Sequence, residues 1–124
     1  MPLIAATDAP IYDLPGVRFT GLAAPSRGAS ENCVWLVTIA PGTDGVPHCC
    51  TREETFVAIE GAARVTVGGQ EHDVSAGSAL VVPAHTEFSL ANPFDAPFRA
   101  VVVLPVGGQA VMDGEPAFTP PWTV

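Results

Sequence analysis

The sequence contains no lysine, and its five basic residues, all arginine, stand against 13 acidic residues, which gives a formal net charge of −8 at pH 7. Nucleic acid is bound through basic stripes, and anionic lipid is bound through polybasic patches. The composition therefore argues against nucleic acid and membranes as partners. We expect the partners to be neutral or cationic small molecules, or a second copy of the chain.

Long apolar runs are also missing. No apolar stretch reaches the roughly 18 residues that a transmembrane helix requires. The start of the chain, Met1 to Ile4, lacks the basic first residues and the apolar run of a signal peptide. A cytoplasmic location is the default expectation.

Cysteine is scarce and odd in number, with Cys33, Cys49 and Cys50 as the only three. A bridge between the adjacent Cys49 and Cys50 would be strained. The odd count indicates free thiols or a metal ligand rather than a disulfide framework. Cys33, beside Val34, Trp35 and Leu36, is expected to be a buried apolar residue in a strand.

Short β-rich runs dominate what remains. In 124 residues that are 48% hydrophobic, we expect one domain with a real core. The runs alternate with turn residues such as Gly68-Gly69, and no stretch is typical of a helix. The predicted strands are Val17–Ala23, Asn32–Ala40, Val46–Cys50, Glu54–Glu60, Ala62–Val67, Glu71–Val74, Gly77–Val82, Glu87–Ala91 and Phe98–Leu104.

This pattern predicts an all-β sandwich or barrel over about residues 17–104. An extended N-terminal arm, residues 1–15, precedes it, and a proline-containing C-terminal tail, residues 105–124, follows. Trp122 in that tail is expected to anchor it on an edge of the barrel. Residues 1–124 are thus predicted to form a single domain.

The best candidate site lies between Gly42 and Gly61. His48 and Cys50 are two residues apart, so an extended strand would point both side chains to one face. A hairpin-like reversal at Thr51-Arg52 would return Glu54 beside them. An imidazole, a thiol and a carboxylate would then meet in one small volume, as metal ligands or as proton carriers.

The same stretch resembles the first sequence motif of the cupins. Gly42, His48, Glu54 and Gly61 match that motif in type and spacing, and Cys50 takes the place of its second histidine. Gly77, Pro83 and Asn92 match the second motif, in which His85 replaces a glycine and Phe88 replaces the histidine. The resemblance implies a double-stranded β-helix, also called a jelly roll.

The resemblance also implies a divalent metal at the mouth of the barrel, with zinc, iron, nickel or copper as candidates. In this family such a site supports dioxygenase, isomerase or decarboxylase-like chemistry on a small organic acid or carbonyl compound. Cupins of this size commonly pair through their sheets, so we expect a homodimer. Strand Glu54–Glu60 agrees, because apolar residues occupy both of its faces.

Several roles stay open from the residues alone. Cys50 is either a thiolate ligand or a thiol that fills the space of the missing histidine, and a nucleophilic role is a third option. His85 is either a fourth ligand reaching in from the turn after Pro83 or a loop histidine at the barrel mouth. Phe56 and Phe88 are expected to line the pocket. Arg64 either points inward to bind a substrate carboxylate or lies half exposed on the outside.

Three functional hypotheses follow. The first is a metal-holding cupin whose ligands are His48, Cys50 and Glu54, with His85 as a candidate fourth. The second is a metal-free binding or sensor module, favoured by the two altered ligand positions. The third is a metal-free enzyme that uses His48 and Glu54 as a proton-transfer pair.

Overall fold

Two antiparallel sheets pack face to face in the computed structural model, which describes residues 3–124. Met1 and Pro2, the first residues of the predicted N-terminal arm, lie outside the described residues. The strands are β1 Ile11–Leu14, β2 Val17–Ala23, β3 Asn32–Ile39, β4 His48–Cys50, β5 Glu54–Glu60, β6 Ala62–Val67, β7 Gln70–Ser75, β8 Ala79–Val82, β9 Phe88–Ala91, β10 Phe98–Pro105 and β11 Ala110–Met112.

The first sheet has six strands in the order β1-β2-β3-β10-β5-β8, and the second has five in the order β11-β4-β9-β6-β7. Short 3-10 turns occur at Ala6–Asp8, Pro25–Arg27 and Pro121–Thr123. No α-helix occurs among the described residues. The predicted all-β jelly roll is confirmed. Residues 3–124 contain no helix long and apolar enough to cross a membrane.

The core lies between the sheets because the inner faces carry the apolar residues. Strand β3 alternates strictly, and every second residue, from Cys33 to Ile39, is buried. Strand β10 does the same from Phe98 to Leu104. Both strands obey the two-residue period of a sheet with one buried face.

All nine predicted strands begin and end within two residues of the observed ones, and β2, β5 and β6 match at both ends. Two observed strands are absent from the predicted pattern. Strand β1 lies in the proline-containing arm, and β11 is only three residues long. Each is formed by pairing with a partner, β2 for β1 and β4 for β11, rather than by a strong local preference.

Gly61, the last glycine of the first motif, joins β5 to β6. Its φ is +73°, and a Cβ at this position would collide with the carbonyl oxygen of Pro97. Only glycine fits such a left-handed turn so close to a neighbouring backbone. The turn sends the chain from the first sheet into the second, immediately after the strand that carries Glu54.

Candidate metal centre

His48 opens strand β4 and is held by two contacts. Its Nδ1 lies 2.8 Å from the carbonyl oxygen of Val46, so the tautomer that donates to this carbonyl leaves Nε2 free as a lone-pair donor. The ring packs at 48° against Phe88 of the paired strand β9, with the centroids 4.4 Å apart. A hydrogen bond from the second ring nitrogen orients an imidazole as a metal ligand.

Cys50 and Glu54 face each other from different sheets. The chain bends at Thr51-Arg52 and crosses from β4 in the second sheet to β5 in the first. The reversal is therefore a crossover and not the predicted hairpin, because β4 pairs with β9 and β11 instead of β5. The Cys50 thiol donates a hydrogen bond to Glu54 Oε1 across 3.5 Å. Both residues are buried, with 3% and 4% of their surface exposed.

The three side chains form one group. One ligand atom from each of His48, Cys50 and Glu54 lies within 4.8 Å of the others. Ligands of a tetrahedral ion are separated by about 3.5 Å, given bonds of roughly 2.0–2.3 Å. The Cys50–Glu54 distance already has this value, and the distances from these two atoms to the His48 ligand atom are no longer than 4.8 Å. Nitrogen, sulfur and oxygen donors of this kind suit zinc and the later transition metals.

Burial sets the protonation of this group. It raises the pKa of Glu54 to about 7, and the hydrogen bond from Cys50 offsets part of that rise. Burial also raises the pKa of the Cys50 thiol, and the neighbouring carboxylate of Glu54 adds to the increase. Without a cation, the Cys50 thiol thus stays protonated, and Glu54 gains and loses its proton around neutral pH. A bound cation would favour the ionised forms of both.

The group lines a cavity of about 230 Å³ between the sheets. Phe56 and Phe88, predicted to line the pocket, are both part of its wall. Their rings meet edge to face with centroids 5.8 Å apart. Phe88 is 1% exposed and lies against His48, so an apolar ring fills the position of the second-motif histidine.

Arg64 lies away from the cavity. Its Nε donates to Asp73 Oδ1 at 2.9 Å and lies 3.7 Å from Glu71 Oε1, and 39% of the arginine side chain is exposed. The guanidinium points outward because β6 pairs with β7, whose outer face carries these acidic residues. Arg64 therefore does not line the cavity, and the inward orientation, one of the two expected from the sequence, is wrong.

His85 also lies apart from the three-residue group. It is exposed in the turn before β9 and adopts a left-handed backbone with φ of +60°. The backbone N–H of His85 donates to the carbonyl of Cys50 at 2.8 Å. His85 thus adopts a backbone conformation that favours glycine, and its exposed imidazole lies outside the group of three ligand residues instead of supplying a fourth ligand.

The C-terminal tail supplies cavity walls that are absent from the predicted site. Met112 of β11, Phe118 and Trp122 all line the cavity. Trp122 stacks on Phe19 of β2, with ring centroids 3.7 Å apart and planes 5° apart. An aromatic residue after two prolines signals a docked tail, but the sequence does not say that it docks onto the site.

Comparison with known proteins gives a family match. The family described as "Cupin domain" matches residues 35–104. A dimethylsulfoniopropionate lyase, DddW, of Ruegeria pomeroyi is 33% identical over 88 residues, which cover 70% of this chain and 56% of that protein. The chain therefore spans little more than half the length of this relative.

Solved structures share the fold at low identity. The polyketide cyclase RemF of Streptomyces resistomycificus has a TM-score of 0.81 at 17% identity, over 94% of this chain and 87% of that one. A salicylate 1,2-dioxygenase of Pseudoaminobacter salicylatoxidans has a TM-score of 0.71 at 18% identity, over 86% of this chain and 31% of that one. At such identities these likenesses show the jelly roll alone.

Proposed function

The chain belongs to the cupin domain family, and on that premise we propose that it holds one divalent metal ion through His48, Cys50 and Glu54 and acts on a small organic molecule beside it. We propose that residues 3–124 work as one domain. The observation that carries the proposal is the convergence of three different donor atoms within 4.8 Å in the wall of a largely apolar cavity.

Each residue has a distinct task in this proposal. Three protein ligands would leave a coordination position for water or substrate, and an ion held there would polarise a bound oxygen. His48 is oriented through Val46, so its ring needs little reorganisation. Glu54 would supply a carboxylate ligand, and the bound ion would keep it ionised although burial raises its pKa to about 7 without a cation. Phe88 and Phe56 keep water away from this group.

The three named relatives are a lyase, a cyclase and a dioxygenase, so they do not agree on a reaction class. What they have in common is a small organic substrate. We carry only this common feature over to the present chain.

The test is elemental analysis of protein expressed without a polyhistidine tag, using mass spectrometry. We expect close to one divalent ion per chain in the unmodified protein. His48→Ala should lose the ion, whereas His72→Ala, which removes an exposed imidazole on β7, should retain it. Equal metal content in both variants would contradict the proposed site.

A metal-free binding module is the second candidate function. It is supported by Phe88 at the position of a family ligand and by the neutral forms that burial favours for Cys50 and Glu54. In that case the same cavity binds its ligand through apolar contact alone. Protein that contains no metal and gains no stability from zinc, iron, nickel or copper would favour this candidate.

We also propose a homodimer formed through the outer face of the six-stranded sheet. Val57 and Ile59 of β5 and Val81 of β8 are 39%, 45% and 53% exposed, and they lie on the face opposite the cavity. Val57 is paired with Val101 of β10, which extends the apolar area across the sheet. A second copy would remove this surface from water.

A cytoplasmic location completes the proposal. All three cysteines, Cys33, Cys49 and Cys50, are free thiols, which suits a reducing compartment. Fractionation of the native cells, followed by detection of the chain with an antibody, would test this directly.

A further inference from the structure

The charge of the cavity wall carries a further inference. Its titratable residues are Asp44, His48, Cys50 and Glu54, and none of the described residues that line it is an arginine or a lysine. Aromatic rings make up much of the remaining wall, from Phe19, Trp35, Phe56, Phe88, Phe118 and Trp122. The cavity is therefore apolar, with acidic groups and no fixed positive charge.

The arginines are all engaged or placed elsewhere. Three form ion pairs on the outer surface: Arg18 with Asp13 at 2.8 Å, Arg64 with Asp73 at 2.9 Å and Arg99 with Glu60 at 3.5 Å. Arg27 donates from Nε to the Leu22 carbonyl and from Nη2 to the Trp122 carbonyl. Arg52 is exposed in the bend between β4 and β5.

The positions of the charged residues decide whether the cavity favours an anionic, a cationic or an uncharged ligand. A carboxylate or phosphate that entered would lose hydration without meeting a net opposite charge, because the ionised Cys50 and Glu54 would balance a divalent ion held between them, and it would lie near Asp44. An organic cation would meet aromatic faces, but it would also lose hydration, and a divalent ion at His48, Cys50 and Glu54 would neutralise the acidic groups that could pair with it. An uncharged molecule has neither penalty.

We propose that the cavity takes an uncharged, mainly apolar molecule with one carbonyl or hydroxyl oxygen. The oxygen faces His48, Cys50 and Glu54, and the apolar body rests on the aromatic group formed by Phe19, Trp35 and Trp122. In that group Trp122 stacks on Phe19 and lies 6.3 Å from Trp35, centroid to centroid. The position of the oxygen rests on the proposed metal centre, whereas the exclusion of anions rests on the cavity wall alone.

A series of three ligands with the same ring tests the proposal: cyclohexanone, cyclohexanecarboxylate and cyclohexyltrimethylammonium. Both tryptophans of the chain line the cavity, so tryptophan fluorescence reports binding without any need for turnover. The full chain is titrated as purified and again after treatment with EDTA. In the EDTA-treated protein we expect cyclohexanone to bind at least about tenfold more tightly than the carboxylate, and in the protein as purified we expect it to bind more tightly than the ammonium ion.

A matched pair of variants tests whether anions are excluded because the cavity wall has no positive charge. Met112→Arg places a cation in the cavity wall on β11, and Val111→Arg places it on the same strand but outside the wall. Met112→Arg should raise the affinity for cyclohexanecarboxylate about tenfold, and Val111→Arg should leave it unchanged. If Met112→Arg does not fold, the order of the three ligand affinities in the unmodified protein decides whether the proposal holds.

Three results would overturn the inference: a carboxylate that binds as tightly as the ketone in EDTA-treated protein, an ammonium ion that binds most tightly to the protein as purified, or no binding by any of the three. Metal binding is a separate measurement from the binding of the three ligands. Failure to bind any ion, with the expected ligand order intact, would reject the proposed metal centre and leave the exclusion of anions standing.

Discussion

The Cys50 thiol and the Glu54 carboxyl share a hydrogen bond across the two sheets, with Sγ and Oε1 3.5 Å apart. Only a short bend separates them in sequence, yet β4 and β5 belong to different sheets. Because both side chains are buried, the pKa of each is raised without a cation, to about 7 for Glu54. The stability of the metal-free protein should therefore depend on pH, and metal binding should change the protonation of this pair.

Glu54 should make the metal-free protein less stable as the pH rises. Its pKa is about 7 in the folded chain against 4.5 for an unperturbed glutamate, so the folded state binds the proton more tightly. The resulting stabilisation is fully present below about pH 4.5 and is lost as the pH rises through 7. The full loss is about 3 kcal/mol, since one pKa unit corresponds to about 1.4 kcal/mol.

Urea unfolding at pH 4.5 and pH 8, with EDTA present, measures this effect. Glu54→Gln should remove this pH-dependent loss of stability. The free energy of unfolding of the variant, relative to that of the unmodified protein, should therefore be higher at pH 8 than at pH 4.5. Glu53→Gln changes the exposed neighbouring glutamate and should follow the unmodified protein. A constant difference between Glu54→Gln and the unmodified protein at both pH values would contradict the burial argument.

Metal binding should release protons. The Cys50 thiol, whose pKa is raised, must lose its proton to become a thiolate ligand, and a fraction of Glu54 is protonated at pH 6.5. Calorimetric titration with zinc in buffers of different ionisation enthalpy should give apparent enthalpies that depend on the buffer, with between one and two protons released. Cys50→Ser should release about one proton fewer. An enthalpy that is the same in all buffers would mean that Cys50 is not a thiolate ligand.

Replacing His85 with glycine should give a more stable protein than replacing it with alanine. A residue with a Cβ is strained by about 1 kcal/mol or more at a φ of +60°, and glycine is not. The free energy of unfolding should therefore be about 1 kcal/mol higher for His85→Gly than for His85→Ala. At His72, an exposed residue within β7, the order should reverse, because glycine destabilises a strand interior by about 0.5–1 kcal/mol. The same order at both positions would contradict the left-handed turn.

Trp122 should stabilise the tail through its ring and not through its indole N–H. Among the described residues, its buried Nε1 has no hydrogen-bond partner, whereas the ring stacks on Phe19 at 3.7 Å. Trp122→Phe should change the free energy of unfolding by less than about 1 kcal/mol, because an unpaired donor is removed along with part of the ring. Trp122→Ala should cost about 2–4 kcal/mol. Urea unfolding followed by circular dichroism distinguishes the two, and equal losses would contradict this account.

The outer face of the six-stranded sheet should hold two copies together. Val57→Lys places a charge in the middle of the apolar surface that contains Ile59 and Val81 and should yield a monomer in sedimentation experiments. Val111→Lys on the other sheet should leave the dimer intact. An unmodified protein that sediments as a monomer would refute the proposed interface.

Local patterns were enough to predict the strands and much of the site. The alternation of Glu54, Phe56 and Ala58 against Val57 and Ile59 correctly separates the inner from the outer face of β5. The two-residue spacing of His48 and Cys50 likewise gives their common face. These properties follow from the strand period, which depends on neighbouring residues alone.

What the sequence does not reveal depends on distant parts of the chain. Strand β11 forms by pairing with β4, and Trp122 reaches the cavity wall because the tail folds back onto β2. The direction of Arg64 is set by Asp73 across a hairpin, and the exposure of His85 is set by a left-handed turn. Spacing alone cannot predict such pairings, since each depends on the three-dimensional path of the chain.

The most direct test of the central claim, that His48, Cys50 and Glu54 bind one ion together, is the absorption spectrum of the protein titrated with cobalt(II). We predict a near-ultraviolet thiolate-to-cobalt band that saturates at one equivalent, with Cys50→Ser losing this band and both His48→Ala and Glu54→Ala binding cobalt much more weakly than the Glu53→Ala control. Cobalt that binds without the thiolate band, or with equal affinity in all four variants, would contradict the account.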